Sequence, residues 1–546
     1  MEVYPMKKKW MAVVAMILAM CISLSGCMYI DLVGYWNELL GMFGVEEMTP
    51  FSEMEYQRPN MEELESIVED CCRRMEEADS LQELVEIIYE AYAPLDQFST
   101  AYALANIFYC KDLTDSYWQE EYTFCSAGTA DAQAALDQIY RTLAKSPFRA
   151  ELESDLYFGA GFFDDYEGES FYDEVFTGLL TQEAELENAY YALVSEAGQV
   201  GYYTQEYYDV YYPQMANLFV ELVKVRQEMA DYLGYDSYVD FAYDYYYDRD
   251  YTPAQTTSYL ADIRAELVPI YSRLISEGVN ATLGSSSERT TKAYVKQMAQ
   301  NMGGIIADAF SDMELYGLYD ISYSENKYDA SFEVYISNYY SPYIFVNPTE
   351  TDYDKLTFAH EFGHFCSDYA SYGSAAGVDV AEVFSQGMEY LSLLYVEDVG
   401  DLEVIKMVDC LSVFVEQSAF ASFEQQVYSL KGDELTAENV RALYAEMGRA
   451  YGFYSWGFDS RDYVTVTHFF TNPMYVISYV VSNDVAMQMY QLELQESGAG
   501  LDCLSNHLTT THSGIVAFTQ EAGLTNPFTY GRIAQVKETL EKVLFG

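Results

Sequence analysis

The feature that most constrains this chain is the stretch Thr357–Phe365, which reads T-F-A-H-E-F-G-H-F and contains the pattern H-E-x-x-H. On a helix, the four-residue spacing places the imidazoles of His360 and His364 on one face, a single turn apart. Two ligands of one tetrahedral zinc ion need this separation. Glu361 lies beside the first ligand, where its carboxylate can deprotonate a zinc-activated water. The sequence therefore predicts a zinc helix with Glu361 as general base.

The composition of the chain argues against a chance match. It has 546 residues with only five histidines and 87 acidic residues, so the pattern His-acid-x-x-His is expected by chance about 0.007 times. The alternative interpretation is an amphipathic helix with two incidental histidines. Two histidines leave zinc in need of a third protein ligand and an open position for water. The rest of the chain must supply that ligand.

The charge of the chain excludes some classes of partner. Lys and Arg total 28 against 87 acidic residues, which gives a net charge of -59. Such a surface repels nucleic acid and anionic lipid headgroups, so we expect no nucleic-acid partner. A solvated acidic exterior is the simplest explanation, and attraction of cationic substrates is a secondary one. The chain also has 55 tyrosines, which suit half-buried surfaces and peptide contacts.

The N-terminus has the pattern of an export signal. Three lysines (Lys7–Lys9) precede an apolar run over 10–22 and the sequence Leu-Ser-Gly-Cys that ends at Cys27. This pattern resembles a bacterial lipoprotein box, in which the cysteine is lipidated and becomes the mature N-terminus. We expect residues 1–26 to be a lipoprotein-type signal peptide, with the protein outside the cytoplasm and anchored to the bacterial cell membrane through Cys27. An uncleaved membrane anchor is the alternative.

Periodicity divides the remaining chain. Residues 27–60 lack a sustained period and are predicted to form a tether. Residues 61–200 are predicted to form an N-terminal helical domain, and residues 201–546 a catalytic domain. Seven cysteines besides Cys21 and Cys27 are scattered without a C-x-x-C pair, so buried thiols are expected rather than a disulfide framework, although the compartment permits a disulfide.

Two β-rich runs, Ser331–Ile336 and Pro342–Val346, predict a hairpin just before the zinc helix, which we expect to begin at the Thr351/Asp352 cap. An exposed edge of this hairpin could pair with an extended peptide, or the hairpin could only close the core.

The next helix offers candidates for the third ligand. Glu382, Ser385 and Glu389 form one polar stripe on an otherwise apolar helix. A carboxylate that faces a core is costly unless it is paired or bound to metal. Glu382 is therefore a candidate ligand, and Asp379 and Glu389 are its competitors.

These residues resemble the thimet oligopeptidase / oligoendopeptidase F family of zinc peptidases, and most closely its oligoendopeptidase F branch. The family pattern is H-E-x-G-H, followed on a later helix by E-x-x-S-x-x-x-E, and Gly363 and Glu382 match it. The resemblance implies one zinc ion per chain, with Glu382 as third ligand and Glu389 as a partner of a ligand histidine. The spacing of 18 residues between His364 and Glu382 is shorter than the family pattern leads us to expect.

The resemblance extends over roughly residues 100–546, through segments such as Arg226–Tyr235, Arg249–Pro253 and Glu521–Pro527. It implies a mainly α, two-lobed helical zincin-type metallopeptidase. A deep central channel would admit short unfolded oligopeptides, and a small β-hairpin region would lie next to the zinc helix.

Family members carry a histidine and tyrosines in the segment that corresponds to Thr467–Tyr479. The resemblance implies that His468, Tyr475 and Tyr479 line the cleft opposite the metal, where a donor would stabilise the negative charge that develops on the peptide carbonyl oxygen. Because tyrosine is so abundant, a core role is the alternative for each tyrosine. His507 and His512 are interpreted as ordinary loop residues.

The function that follows is a lipid-anchored, extracytoplasmic zinc metalloendopeptidase that hydrolyses short unfolded oligopeptides through a zinc-activated water. One alternative is a metallocarboxypeptidase of the same fold. The other is a non-catalytic exported peptide-binding lipoprotein, which Glu361 disfavours because binding alone does not require a general base.

Overall fold

The computed structural model describes residues 48–154, 157–159, 161–168, 170, 172–277, 283–373, 376–453, 458–510 and 514–545. The predicted signal peptide and the part of the predicted tether before residue 48 lie outside the described residues. The rest of the tether packs on the protein: Phe51–Glu53 forms a 3-10 turn, and the ring of Phe51 lies 4.2 Å from that of Tyr343. Residues 51–54 therefore belong to the folded body, which the tether prediction did not anticipate.

The described chain is mainly helical, as the sequence predicted. The helices are α1 (Met61–Glu77), α2 (Leu81–Lys111), α3 (Ser116–Ala144), α4 (Arg149–Leu152), α5 (Glu174–Val200), α6 (Tyr212–Leu233), α7 (Tyr238–Phe241), α8 (Pro253–Glu266), α9 (Val268–Glu277), α10 (Glu288–Met302), α11 (Gly304–Tyr316), α12 (Tyr353–Ser371), α13 (Val378–Tyr395), α14 (Leu402–Ser412), α15 (Ser418–Val427), α16 (Ala437–Ala450), α17 (Thr467–Thr471), α18 (Ile477–Gln495), α19 (Ala499–His507), α20 (Ile515–Glu521) and α21 (Arg532–Phe545). In the described part of the chain, no helix combines the length and the apolar composition needed to cross a membrane.

The helices enclose two hydrophobic cores. Helices α1 to α3 form the smaller core, which runs from Leu64 to Phe163. Asn60 caps the N-terminus of α1, because its side chain accepts a hydrogen bond from the backbone N–H of Glu63. The apolar stripe of α1 faces this core. Helix α5 packs against α6 and contributes to the larger core. The larger core therefore recruits residues that precede the boundary predicted at residue 200.

A small sheet packs against α12. Strands β2 (Ser331–Ile336) and β3 (Ser341–Val346) form the predicted antiparallel hairpin, with Ser331 opposite Val346 and Ile336 opposite Ser341. A two-residue strand, β1 (Tyr319–Asp320), pairs in parallel with β3 and was not predicted. The strand order β1-β3-β2 leaves β2 at one edge of the sheet.

Helices α12, α13 and α18 lie at the centre of the larger core, with α13 packed between the other two. Helix α12 begins after Asp352, as predicted, and continues to Ser371. Tyr372 and Gly373 follow it with positive φ angles of 55° and 78°, which end the helix and allow a tight reversal into α13. The short connection is thus accommodated by a turn.

Gly363 brings α12 and α13 into backbone contact. A Cβ atom at this position would lie 2.6 Å from the carbonyl oxygen of Phe384 and 2.6 Å from Cα of Ser385. Only glycine permits this approach, which sets Glu382 on α13 opposite the histidines of α12.

The seven cysteines among the described residues are free, and six of them are buried.

Candidate metal centre and active site

Three potential metal ligands converge where α12 faces α13. Glu382 Oε2 lies 3.4 Å from His360 Nε2 and 3.9 Å from His364 Nε2. In the described part of the chain, this is the one group that brings three such atoms within 4.8 Å of one another. Around a tetrahedral zinc ion with bonds of about 2.0–2.2 Å, ligand atoms lie roughly 3.3 Å apart. Two imidazole nitrogens and one carboxylate oxygen in this arrangement fit zinc.

A buried network orients His360. Its Nδ1 lies 2.8 Å from Oε1 of Glu389, and the ionised carboxylate can only accept, so Nδ1 carries the proton and Nε2 keeps its lone pair for a metal. Lys406 Nζ donates to Glu389 Oε2 at 2.8 Å. Burial alone would raise the pKa of Glu389, but the charge of Lys406 and the hydrogen bond from His360 outweigh it and lower that pKa. The role of Lys406 was not predicted, because nothing in the sequence around it distinguishes this lysine from a surface lysine.

Glu361 is buried beside the ligands, with 1% of its surface exposed. Its Oε2 atom has no hydrogen-bond partner among the described residues. Burial raises the pKa of this carboxyl to about 8; the charge of His360 opposes this rise, and those of Glu382 and Glu389 add to it. A buried carboxyl with a raised pKa and an unused oxygen is suited to accept and return a proton.

Two side chains orient Glu382. The hydroxyl of Ser385 donates to Oε2 at 2.9 Å, and that of Tyr475 donates to Oε1 at 2.6 Å. Ser385 is the serine of the E-x-x-S pattern, so its spacing has a physical reason: three residues along a helix return to the same face.

The structure brings the three residues of the predicted cleft segment together beside Glu382. His468, Tyr475 and Tyr479 are all buried, with 2%, 3% and 3% of their surfaces exposed. Nε2 of His468 lies 3.3 Å from the hydroxyl oxygen of Tyr479, and the rings of the two tyrosines are 4.9 Å apart. Glu424 supports the segment by accepting a 2.8 Å hydrogen bond from the backbone N–H of Met474.

The competing ligand candidates take other partners. Oδ1 of Asp379 lies 3.7 Å from Nε of the buried Arg249, so its charge is compensated away from the metal group. Glu389 binds His360 from behind, on the side of Nδ1. His507 is the last residue of α19 rather than a loop residue, and its Nδ1 lies 2.6 Å from the carbonyl oxygen of Cys503. His512 lies outside the described residues.

One cavity adjoins this centre, and a larger one reaches the segment that precedes Tyr475. A small cavity of about 60 Å³ is lined by His360, Glu361 and Tyr479, among others. A larger cavity of about 680 Å³ lies between α3 and α5 and reaches Asn472 and Pro473, which precede Tyr475 by two to three residues.

Comparison with known proteins agrees with these observations. Residues 51–169 match the peptidase M3 N-terminal domain. None of the curated proteins matches the sequence. A solved structure described as oligoendopeptidase F superposes with a TM-score of 0.81 at 20% identity, over 91% of this chain and 98% of that chain. PZ peptidase A in complex with an inhibitor gives 0.81 at 21% identity, over 90% and 99%.

A third structure, described as an oligoendopeptidase F from Bacillus anthracis str. Ames, gives a TM-score of 0.76 at 22% identity, over 91% of this chain and 98% of that chain. The predicted resemblance is therefore confirmed: residues 51–169 match the N-terminal domain of the M3 peptidases, and the chain has the fold of the oligoendopeptidase F structures.

Proposed function

We propose that this chain is a zinc metalloendopeptidase that hydrolyses short unfolded oligopeptides. The observation that carries the proposal is the convergence of His360, His364 and Glu382 beside the unused carboxylate oxygen of Glu361. Zinc bound by these ligands would polarise the scissile carbonyl group and lower the pKa of a water molecule. A protein that only bound peptides would need neither the ligand group nor the base.

Glu361 is the proton carrier of the proposed reaction. Its Oε2 accepts the proton of the attacking water, and the protonated carboxyl then passes it to the nitrogen of the leaving amine as the C–N bond breaks. Burial supports both steps, because it raises the pKa of the carboxyl toward neutral pH.

Tyr479 is the favoured donor to the carbonyl oxygen on which negative charge develops. Its side chain lines the small cavity that His360 and Glu361 also line. The hydroxyl of Tyr475 donates a hydrogen bond to Glu382, so the role of Tyr475 is to position that ligand. His468 lies against the Tyr479 hydroxyl and orients it.

Two features support short, extended substrates. Strand β2 lies at an edge of the sheet and packs against α12, so an extended peptide could add to this edge. The larger cavity lies between α3 and α5, where a folded protein would not fit but several residues of a peptide would. Because this cavity extends away from the ligands, we favour cleavage inside peptides over removal of the last residue.

The test is metal-dependent cleavage with the positions mapped. The mature chain is stripped with a chelator, reloaded with zinc and incubated with a quenched fluorescent peptide, and the products are identified by mass spectrometry. Zinc-dependent internal cuts support the proposal. Stepwise loss of C-terminal residues identifies the metallocarboxypeptidase, and peptide binding without zinc-dependent cleavage identifies a binding protein.

We also propose that the enzyme is held at the outer face of the cell membrane through lipidated Cys27. The Leu-Ser-Gly-Cys sequence after a basic and then apolar stretch supports this location. Cys27→Ser should move the protein from the membrane fraction to the soluble fraction with unchanged specific activity. Retention of the variant in the membrane would favour an uncleaved anchor.

A further inference from the structure

The larger cavity, here called the tyrosine chamber, borders the metal centre through one segment of chain. Its walls include α3, α5, residues 244–248 and residues 471–473. The hydroxyl of Tyr247 donates to the carbonyl oxygen of Pro473 at 2.7 Å, and its ring lies 6.1 Å from that of Tyr475. Tyr475 in turn binds Glu382. The chamber wall and the metal centre are therefore linked through Tyr247, Pro473 and Tyr475.

The chamber is strongly acidic. Six carboxylates line it, and no Lys or Arg is among its described lining residues; the carboxylates are Asp137, Glu183, Glu185, Glu187, Asp244 and Asp248. Two buried arginines behind the wall compensate part of this charge. Arg141 binds Asp137, and Arg226 binds both Glu183 and Glu187. Acidic side chains therefore outnumber the arginines that bind them by six to two.

One of these carboxylates has an unused oxygen beside the chamber. Asp137 is 4% exposed, and its Oδ2 accepts hydrogen bonds from Nε of Arg141 at 2.7 Å and from Oγ of Ser170 at 2.6 Å. Its Oδ1 is buried and has no hydrogen-bond partner among the described residues. A buried acceptor without a donor is costly, and a ligand group that donated a hydrogen bond to this oxygen would remove that cost.

Glu187 shares the cation Arg226 with a second carboxylate, Glu183. Burial and the neighbouring charge of Glu183 raise the pKa of its carboxyl, and Arg226, which both glutamates share, offsets this only in part. A second positive charge in the chamber would favour the ionised form of Glu187.

The remaining wall is aromatic. Ten tyrosines line the chamber, among them Tyr140, Tyr191 and Tyr246. Tyrosine rings attract a guanidinium or ammonium group placed over their faces and pack against its aliphatic stem, and their hydroxyl oxygens can accept hydrogen bonds from its N–H groups. The carboxylates are spread around the cavity and form no three-ligand cluster among the described residues, so they suit extended organic cations better than a second metal ion.

From this combination we infer that the tyrosine chamber is a subsite for arginine and lysine side chains, and that the enzyme selects cationic oligopeptides. The inference rests on the proposed peptidase function and adds the substrate class. The chain's charge of -59 would draw such peptides to the surface, and the chamber would then recognise the side chain itself.

The test compares peptides that differ in one charge. A quenched fluorescent peptide carries either arginine or citrulline, its neutral isostere, at each position in turn, and every peptide is made with a free and an acetylated N-terminus. We expect at least one position at which arginine raises kcat/KM about tenfold or more over citrulline, with or without acetylation. Equal cleavage at every position would overturn the inference, and an advantage lost on acetylation would reassign the subsite to the α-ammonium group.

Variants of the chamber test whether its carboxylates cause the preference for arginine. Glu187→Gln and the exposed Asp244→Asn should each reduce the arginine advantage several-fold. Glu196→Gln makes the same charge change on α5 at an exposed residue outside the chamber, and it should leave the advantage unchanged. An equal loss in Glu196→Gln would show that overall charge, not the chamber, selects the peptide. Asp244→Asn keeps the test valid if Glu187→Gln fails to fold.

Binding separates this inference from the proposed function. Isothermal titration of Glu361→Gln with the arginine and citrulline peptides measures selection without turnover. Tighter binding of the arginine peptide would support the subsite even if no peptide were cleaved by the wild-type protein, a result that would reject only the peptidase. Equal binding would reject the subsite even if both peptides were cleaved.

Discussion

The hydroxyl of Tyr475 donates a 2.6 Å hydrogen bond to Oε1 of Glu382, the carboxylate whose other oxygen faces the two histidines of α12. The neighbouring Tyr479 instead lies 3.3 Å from Nε2 of His468 and lines the cavity beside Glu361. Two tyrosines four residues apart thus have different partners: Tyr475 binds the candidate metal ligand Glu382, whereas Tyr479 lines the cavity where the proposed reaction would take place.

Tyr475→Phe and Tyr479→Phe should therefore have different effects, the first on zinc affinity and the second on kcat. Loss of the Tyr475 hydroxyl should weaken zinc binding about 10-fold, the lower end for a residue that orients a ligand. Loss of the Tyr479 hydroxyl should leave zinc affinity unchanged and lower kcat by about 10²- to 10³-fold, as for an oxyanion donor. Chelator competition and steady-state kinetics measure the two effects. Strong zinc loss with Tyr479→Phe and none with Tyr475→Phe would exchange the two roles.

The third ligand is tested by a matched pair on α13. Glu382→Gln should weaken zinc binding by far more than Glu389→Gln, because the first removes an anionic ligand and the second only the partner of His360 Nδ1. For Glu389→Gln we expect a loss of about 10- to 100-fold. Zinc affinity from chelator competition decides between them. If Glu389→Gln loses the metal while Glu382→Gln keeps it, the ligand assignment is wrong.

Gly363→Ala should separate α12 from α13. The added methyl group would lie 2.6 Å from the Phe384 carbonyl oxygen, a backbone atom that cannot rotate away, so the helices must move apart and Glu382 must withdraw from the histidines. We expect a destabilisation of about 1–3 kcal/mol, typical of overpacking, together with weaker zinc binding. Gly178→Ala on α5 is the control, since no atom lies within 4 Å of its added Cβ. Equal zinc affinity in both variants would contradict the contact.

Glu416 should make stability depend on pH. Burial raises the pKa of its carboxyl to about 7; the hydrogen bond from Tyr271 opposes this rise, and the charge of Asp409 adds to it. Between about pH 4.5 and pH 7 the folded state keeps a proton that the unfolded state has lost, so wild-type stability falls as pH rises through this window.

Glu416→Gln stays neutral and removes this dependence. Its Tm relative to the wild-type protein should therefore rise from pH 5 to pH 8, as measured by thermal unfolding at fixed zinc concentration. The exposed Glu196→Gln controls for the loss of one negative charge. A Tm difference that stays constant over this range would show that Glu416 is ionised throughout.

The parts of the site that the sequence could predict are those set by local geometry. The spacing of His360 and His364 is a property of one helical turn, and two β-rich runs predict the hairpin. Glu382 could be nominated because a carboxylate on an apolar helix face needs a partner. These inferences need no knowledge of distant packing.

Other features depend on contacts between segments far apart in the chain. Lys406 on α14 donates a hydrogen bond to Glu389 on α13. The chamber brings Asp137, Glu187 and Asp244 together from three different segments. Strand β1 has two residues, too few to show a period, and it exists because β3 offers an edge. The burial of residues 51–54 likewise depends on partners such as Tyr343. No local pattern carries this information.

The central claim is that Glu361 moves the proton in a zinc-dependent peptide hydrolysis, and Glu361→Gln tests it most directly. Zinc content by mass spectrometry and turnover of a quenched fluorescent peptide are measured on the same preparation. We predict about one zinc ion per chain in the variant and the wild-type protein, with turnover of the variant lower by about 10²-fold or more. Near wild-type turnover by a fully zinc-loaded Glu361→Gln protein would contradict the account.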